Sequence, residues 1–140
     1  TIPFSKHFLK NFILNASNDI TIDKQVRLMI VEVSTNQAIG TLDVFEYDPI
    51  HRRAGLGILI DDTKRNKGYA SEALQLVKEY SFSKLQLHQL FCNIMEENER
   101  SKHLFLRHDF EITGIKKEWI LINNKWHDVL FLQLLNNSKS

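Results

Sequence analysis

The stretch Gly55–Leu74, GLGILIDDTKRNKGYASEAL, joins a glycine-containing apolar run to a helical pattern. Three of the five glycines, Gly55, Gly57 and Gly68, lie within it. The first backbone N–H groups of a helix have no intrahelical partners, and the helix dipole favours an anion at that end. The turn before this helix is therefore either a simple helix start with a solvated basic turn or a phosphate cradle made of backbone N–H groups.

Composition limits the kind of protein. The 140 residues are 43% hydrophobic and 25% charged, which is typical of one soluble globular domain, here taken as residues 1–140. With 18 basic and 17 acidic residues the net charge is +1, which predicts no general attraction to nucleic acid or to a membrane. The single cysteine, Cys92, excludes an internal disulfide and favours a buried structural thiol in a reducing, cytoplasmic compartment.

Hydrophobic periodicity and turn residues predict an order of helix, three strands, helix, strand, helix and two strands. The helices are predicted over 3–16, 70–85 and 97–110, and the strands over 26–34, 38–48, 51–61, 87–95, 112–123 and 125–135. Asn123-Asn124 is a tight-turn signal between the last two strands. Antiparallel hairpins on either side of a strand–helix–strand unit indicate an α/β (α+β) fold with a mixed sheet and helices on its faces.

Two features of the opening stretch bear on ligand binding. Gly55 and Gly57 lie two apart in a predicted strand, so they face the same side, where another backbone or a ligand approaches closely. The turn itself reads R-x-x-G-x-A, with Gly68 and Ala70 small and with Arg65 and Lys67 adding positive charge. On its own this short motif favours the solvated turn, and neither G-x-x-x-x-G-K-S/T nor G-x-G-x-x-G is present.

In its context the turn resembles the acetyl-CoA signature Q/R-x-x-G-x-G/A of the Gcn5-related N-acetyltransferase (GNAT) superfamily. The resemblance extends through DPIHRRAGLGILI, through EALQLVKEYSFSKLQLHQLFCNIMEENERSKHLFLRHDF and through EWILINNKWHDVLFLQLL. The subgroup that it is most similar to holds the spermidine and spermine acetyltransferases and the ribosomal-protein alanine acetyltransferases. It implies a mostly antiparallel, twisted sheet with helices on both faces and splayed central strands, and an N-terminal strand and helix that are missing from this sequence.

The resemblance also implies a donor substrate, acetyl-CoA, and the residues that hold it. Backbone groups of one strand would bind the pantetheine arm, N–H groups of the turn would bind the pyrophosphate with help from the Arg65 side chain, and the start of the next helix would add contacts. The strand residues for the pantetheine arm are Ile58, Leu59 and Ile60. The turn residues for the pyrophosphate are Asn66, Lys67, Gly68, Tyr69 and Ala70, and the residues at the start of the next helix are Asn98 and Ser101. A bulky residue at Gly68 is expected to weaken acetyl-CoA binding and to leave the fold intact.

The implied activity is direct transfer of an acetyl group to a primary amine through a tetrahedral intermediate. Asp43 and Glu46 are the candidate bases; they lie three apart, so only one would face the site. Phe105 occupies the position where many relatives carry the tyrosine that protonates the thiolate, and phenylalanine has no proton to donate, so the acid is unassigned. Asp109 replaces a usual glycine, and Gly55 stands where polyamine-acetylating relatives carry a carboxylate.

Two other functions are weighed beside this one. Phe105 and Asp109 favour a catalytically weak acyl-CoA-binding or regulatory module, whereas the balanced charge disfavours a nucleotide- or nucleic-acid-binding domain. His103 and His108 are five apart on a helix without a third partner, so no metal is expected. The expected partner is a small amine or a peptide N-terminus, with no membrane or nucleic acid, and the resemblance alone implies a homodimer.

Overall fold

A computed structural model describes residues 7–11, 24–65 and 67–137. Its strands are β1 (His7–Asn11), β2 (Val26–Glu32), β3 (Gln37–Asp48), β4 (Arg53–Ile60), β5 (Gln89–Met95), β6 (Glu111–Ile122) and β7 (Lys125–Leu135). The α-helices are α1 (Tyr69–Glu79) and α2 (Glu99–Arg107). A short 3-10 turn, Asp62–Lys64, precedes α1, and a π-helical turn, Tyr80–Lys84, follows it. None of the described helices is long and apolar enough to cross a membrane.

The seven strands form one sheet in the order β1-β2-β3-β4-β5-β7-β6. Every neighbouring pair is antiparallel except β4 and β5, which run parallel because α1 crosses between them. Asn123 and Asn124 both have positive φ, at 52° and 62°, as a two-residue hairpin turn of this type requires. The predicted fold class, with its mixed, mostly antiparallel sheet, is confirmed, but the two described helices lie on one face of the sheet and not on both faces as expected.

The helix predicted over 3–16 is wrong where the structure describes it. Residues 7–11 form β1, which pairs with β2 from His7↔Glu32 to Asn11↔Leu28; the rest of that predicted helix lies outside the described residues. Short apolar patterns do not separate helix from strand by periodicity alone. The open edge of β2 supplies a ladder of backbone hydrogen bonds, and this tertiary pairing overrides the local pattern.

The core lies between one face of the sheet and the two helices. Alternate residues of β2, β3, β4, β5 and β7 point to it, while α1 and α2 present residues at helical spacing. Its members include Leu42, Val44, Ala54, Leu56, Leu90, Cys92, Ile94, Leu130 and Leu132 from the sheet, and Ala73, Leu74, Val77, Leu104 and Phe105 from the helices.

The opposite side of the sheet carries a row of three phenylalanine rings, from here on the aromatic face: Phe45, Phe91 and Phe131. The Phe45 and Phe91 rings meet edge to face at 5.8 Å, and the Phe91 and Phe131 centroids are 5.5 Å apart. Gly55 lies beneath this row, because a Cβ there would stand 2.3 Å from Phe45 Cε1 and 2.8 Å from Phe91 Cε1. The close approach predicted at this glycine is therefore made by aromatic side chains of the protein itself.

The two strand glycines provide a matched test of this packing. Gly55→Ala is expected to lower the free energy of unfolding by about 1–3 kcal/mol, since the added methyl group overpacks the aromatic face. Gly57→Ala, where the nearest atom to a Cβ is Phe45 Cε2 at 4.0 Å, should change it by less than about 1 kcal/mol. Urea unfolding measures both values, and equal effects would contradict the packing argument.

Candidate functional site

The two central strands separate at the site. β4 and β5 are paired only at Arg53↔Gln89, Ala54↔Leu90 and Gly55↔Phe91, so the predicted splay of the central strands is confirmed. Beyond Gly55 the β5-facing backbone edge of β4 has no strand partner in the described chain. A cavity of about 280 Å³ opens between the strands and is lined by Leu56, Gly57, Ile58, Cys92, Asn93, Ile94, Met95, Asn98, Ser101 and Phe105.

A second cavity, of about 500 Å³, lies at the amino end of α1. Nine residues predicted to bind the donor line it together: Ile58, Leu59, Ile60, Arg65, Gly68, Tyr69, Ala70, Asn98 and Ser101. Lys67, also predicted, is not in its lining, and Asn66 lies outside the described residues. Ile58, Asn98 and Ser101 line both cavities, so the space at the helix start borders the gap between the strands.

Gly68 is the N-cap of α1 and has a left-handed backbone, with φ at 83° and ψ at 1°. A Cβ added there would meet nothing within 4 Å, so this glycine is not required by contacts inside the protein. Its conformation does require it, since an L-residue in this region costs roughly 1–2 kcal/mol. The expectation that a bulky residue at Gly68 would leave the fold intact is therefore revised: such a variant also strains the helix start.

The larger cavity is electropositive. The described residues that line it carry no carboxylate, and they include four cationic side chains, Lys64, Arg65, Arg100 and Arg107. Arg65 is held by Asp62, with 2.8 Å between Nη2 and Oδ1. Lys64, Arg100 and Arg107 were not predicted, nor were Ser71, His103 and Leu104, which also line the cavity. For the residues on α2 the sequence did contain a signal. Positions 100, 103, 104 and 107 are three or four residues apart, which places their side chains on one face of a helix.

Glu32, at the end of β2, forms hydrogen bonds on both sides of the turn that precedes α1. Its carboxylate accepts hydrogen bonds from Tyr69 Oη, from Thr35 Oγ1 at 2.9 Å and from Lys64 Nζ at 3.2 Å. These bonds, that of Tyr69 first, lower the pKa of Glu32 to about 2. Because Lys64 and Tyr69 stand on either side of residues 65–68, one buried carboxylate holds both ends of the predicted pyrophosphate turn.

Two further contacts fix the walls of the larger cavity. Ser71 Oγ lies 2.8 Å from Nε2 of His108, and Lys78 Nζ donates to the His108 carbonyl at 3.0 Å. These bonds join both ends of α1, at Ser71 and Lys78, to the end of α2. Burial, and then the nearby Lys78 and Arg107 charges, lower the pKa of His108, which favours its neutral form. The sequence carried no sign of this pair, because its members are 37 residues apart.

Asn98 and Asp109 have structural roles at the two ends of α2. Asn98 Oδ1 accepts a hydrogen bond from the Ser101 N–H at 3.1 Å, which makes Asn98 the N-cap of α2. The side-chain N–H₂ of Asn98 takes no part in this bond. Asp109 has a φ of 74°, and its N–H donates to the Leu106 carbonyl, while the Phe110 N–H donates to that of Phe105. These bonds form a Schellman motif, in which the left-handed residue is most often glycine, as the family resemblance led us to expect at this position.

Neither Phe105 nor Cys92 offers a proton to the gap between the strands. Phe105 is buried, and its ring packs edge to face on Phe110 with centroids 5.0 Å apart. Cys92 is buried as predicted, and burial raises the pKa of its thiol to about 12. A thiol in this state is neither a nucleophile nor a useful acid at neutral pH.

The two candidate bases lie in different settings. Asp43 pairs with Gly57 across the sheet and lies on the aromatic face, because its neighbours Leu42 and Val44 belong to the core. Arg27 holds its carboxylate through Nε at 2.7 Å and Nη2 at 2.9 Å. Glu46 sits in a β-bulge with a φ of 50° and is exposed, so simple alternation does not describe its direction.

His103 and His127 lie in different parts of the structure. His103 lines the larger cavity, whereas His127, on β7, bonds through Nδ1 to Glu97 Oε2 at 2.8 Å. In the described ranges no three His, Cys, Asp or Glu side chains are grouped as a metal ion requires.

Comparison with known proteins matches residues 3–111 to the acetyltransferase (GNAT) domain family. The chain is 30% identical over 115 residues to spermidine N(1)-acetyltransferase from Vibrio cholerae serotype O1, covering 82% of this chain and 66% of that protein. It is 34% identical over 73 residues to the ribosomal protein uS5-alanine N-acetyltransferase of Escherichia coli strain K12, covering 52% of this chain and 38% of that protein. The chain thus spans less than two thirds of the length of these curated relatives.

Solved structures show the same architecture. The crystal structure of spermidine N-acetyltransferase from Vibrio cholerae in complex with CoA and spermine matches with a TM-score of 0.78 and 27% identity. The match covers 84% of this chain and 69% of that one.

The Glu32 network predicts a pH-dependent stability. The folded-state pKa of about 2 lies below the ordinary 4.5, so the carboxylate stabilises the fold above pH 4.5 and this contribution is lost as the pH falls towards 2. Glu32→Gln should therefore lower Tm at pH 7, and the difference from wild type should shrink between pH 4.5 and 2. Glu111→Gln, at an exposed position, is the control for calorimetric scans. A constant difference across this range would refute the role of the carboxylate charge.

Proposed function

The chain belongs to the acetyltransferase (GNAT) domain family, as the sequence resemblance predicted, and from this premise we propose that it transfers an acetyl group from acetyl-CoA to a primary amine. One observation carries the proposal: an electropositive cavity at the start of α1 shares three lining residues with the gap between β4 and β5. The acceptor class is a polyamine, another small amine or a protein N-terminus. Residues 1–140 would form one acetyltransferase domain, acting in the cytoplasm and as a homodimer.

The residues present fit an acyl-CoA donor. The cations of the larger cavity and the first N–H groups of α1 suit a pyrophosphate, and the open space at the Gly68 Cα leaves room for it. The unpaired edge of β4 at Ile58, Leu59 and Ile60 suits the amides of a pantetheine arm, which would bind as a neighbouring strand does. Bound there, the donor supplies an activated acetyl group as a thioester.

The reaction requires few groups from the protein. The neutral amine attacks the acetyl carbonyl, a C–N bond forms, the C–S bond breaks, and the amine proton leaves as the thiol is released. A base at the amine and a backbone N–H donor to the developing oxyanion would assist this step. Glu46, exposed and without an ion pair in the described chain, is the better candidate base, because Asp43 is held by Arg27.

Phe105 supports a second candidate function, a catalytically weak acyl-CoA-binding module. It occupies the position of the usual acid and is buried on Phe110, so it leaves the thiolate without a tyrosine donor. A thiolate whose conjugate thiol has a pKa near 8.5 can leave without an acid, although more slowly. Acetyl transfer therefore remains the first proposal.

The direct test is thiol release from acetyl-CoA with a panel of polyamines, amino acids and N-terminal peptides. Turnover with at least one amine is expected, together with acetyl-CoA binding measured by calorimetry. Tight binding without turnover of any acceptor would favour the binding module, and absence of acetyl-CoA binding would refute both proposals.

Gly68→Asn tests the cradle with little backbone strain, since asparagine tolerates the left-handed region better than other residues. It is expected to raise the Kd of acetyl-CoA by about tenfold, because the added side chain enters the space proposed for the pyrophosphate. Gln75→Asn, on the exposed side of α1 and outside the cavity, is the control. An unchanged Kd would indicate that the turn has only a structural role.

Phe105→Tyr tests whether the acid is missing. The phenol borders the gap between the strands, and general-acid help is worth roughly 10²-fold or more when it is well placed. We expect kcat to rise by at least about tenfold with little change in the KM of acetyl-CoA. The variant should also show a decline in kcat at high pH, where the phenol ionises. An unaltered kcat and pH profile would show that the wild-type site does not lack an acid.

A further inference from the structure

Lys116, on β6, places a fixed positive charge on the aromatic face. Its Nζ lies 5.5 Å from the centroid of Phe131 and 5.3 Å from that of Trp119. The same Nζ donates a hydrogen bond to Asn93 Oδ1 at 2.9 Å. The side chain therefore crosses β7 and ends above β5, with its ammonium over aromatic rings.

Asn93 stands at the mouth of the gap between the strands. The last β4–β5 pair is Gly55↔Phe91, and Asn93 is the next residue of β5 on the same face as Phe91. It also lines the cavity between the strands, across from Gly57. The ammonium of Lys116 is thus one hydrogen bond from the rim of this opening.

An acceptor has to reach the opening from the aromatic face. On the other side, the core side chains of Leu56, Ile94 and Phe105 line the cavity beneath the helices, which the donor would occupy. This step rests on the proposed function, which places the donor on the helix side and its acetyl group in the gap.

Once Glu46, the candidate base, serves the reacting amine, the rim offers a second ammonium little compensating charge. The carboxylate nearest Gly57 in the strand register, Asp43, is already bound by Arg27 through two hydrogen bonds. Lys116 makes no ion pair within the described residues, so its charge is not cancelled by a carboxylate. A second ammonium on the acceptor would meet like charge and would have to displace Lys116 from the rings.

We propose that Lys116 is a specificity-determining residue that disfavours polycationic acceptors, and that Phe45, Phe91 and Phe131 bind the arm of a monoamine with an apolar or aromatic substituent. The half-buried rings of Phe45 and Phe131 supply contact area for such an arm, and the buried ring of Phe91 lies between them.

The neighbouring lysine provides a matched control. Lys117 points to the other face, where its Nζ bonds Asp128 Oδ2 at 3.1 Å, and it is 75% exposed. Wild type, Lys116→Met and Lys117→Met are each loaded with CoA and titrated calorimetrically with spermidine and with phenethylamine. The ratio of the two Kd values cancels any general change in the protein, and thermal unfolding confirms that each variant folds.

Wild type should bind phenethylamine more tightly than spermidine. Lys116→Met should shift the Kd ratio towards spermidine by about tenfold, and Lys117→Met should leave it within about twofold. Tighter binding of spermidine by wild type, the same shift in both variants, or no spermidine binding by Lys116→Met would each overturn the proposal. Failure of wild type to bind CoA would instead count against the proposed function, because this comparison begins from the CoA-loaded protein.

Discussion

The short pairing between β4 and β5 is the constraint on which the site depends. Three parallel pairs hold the two strands together, and then each turns away from the other. Among the residues that the structure describes, the separation leaves a strand edge without a partner, and it opens a cavity in the middle of the sheet. Unpaired backbone groups in a protein interior are costly unless a ligand or water meets them, so the break in the ladder is itself a sign of a binding site.

The two faces of the sheet have different roles. One face carries the core and both described helices, and it ends in the electropositive cavity at the start of α1. The other carries the three phenylalanine rings, which leave room only for glycine at position 55. The Glu32 carboxylate joins the end of β2 to the turn that borders this cavity, through its bonds to Lys64 and Tyr69.

Much of the fold and part of the site followed from local patterns. Strand alternation, helix spacing and the Asn123-Asn124 turn predicted eight of the elements, since these signals act over a few residues. The predicted donor-binding residues from Ile58 to Ser101 gather around one cavity, apart from Lys67 and the undescribed Asn66. The segment at 7–11 was mistaken for helix because its partner, β2, lies some 20 residues away and is invisible to a local pattern.

The sequence by itself determined the order of elements from β2 onward, the glycine turn before α1 and the absence of a tyrosine at position 105, because each depends on residue type at a known place. Only the tertiary structure decided which charges remain available. Arg27 holds Asp43, Asp62 holds Arg65, and Glu32 holds both Lys64 and Tyr69, all through contacts made in the folded chain. The physical reason is that the state of a charged group depends on its neighbours in space, and strand pairing and helix packing bring these together from distant parts of the chain.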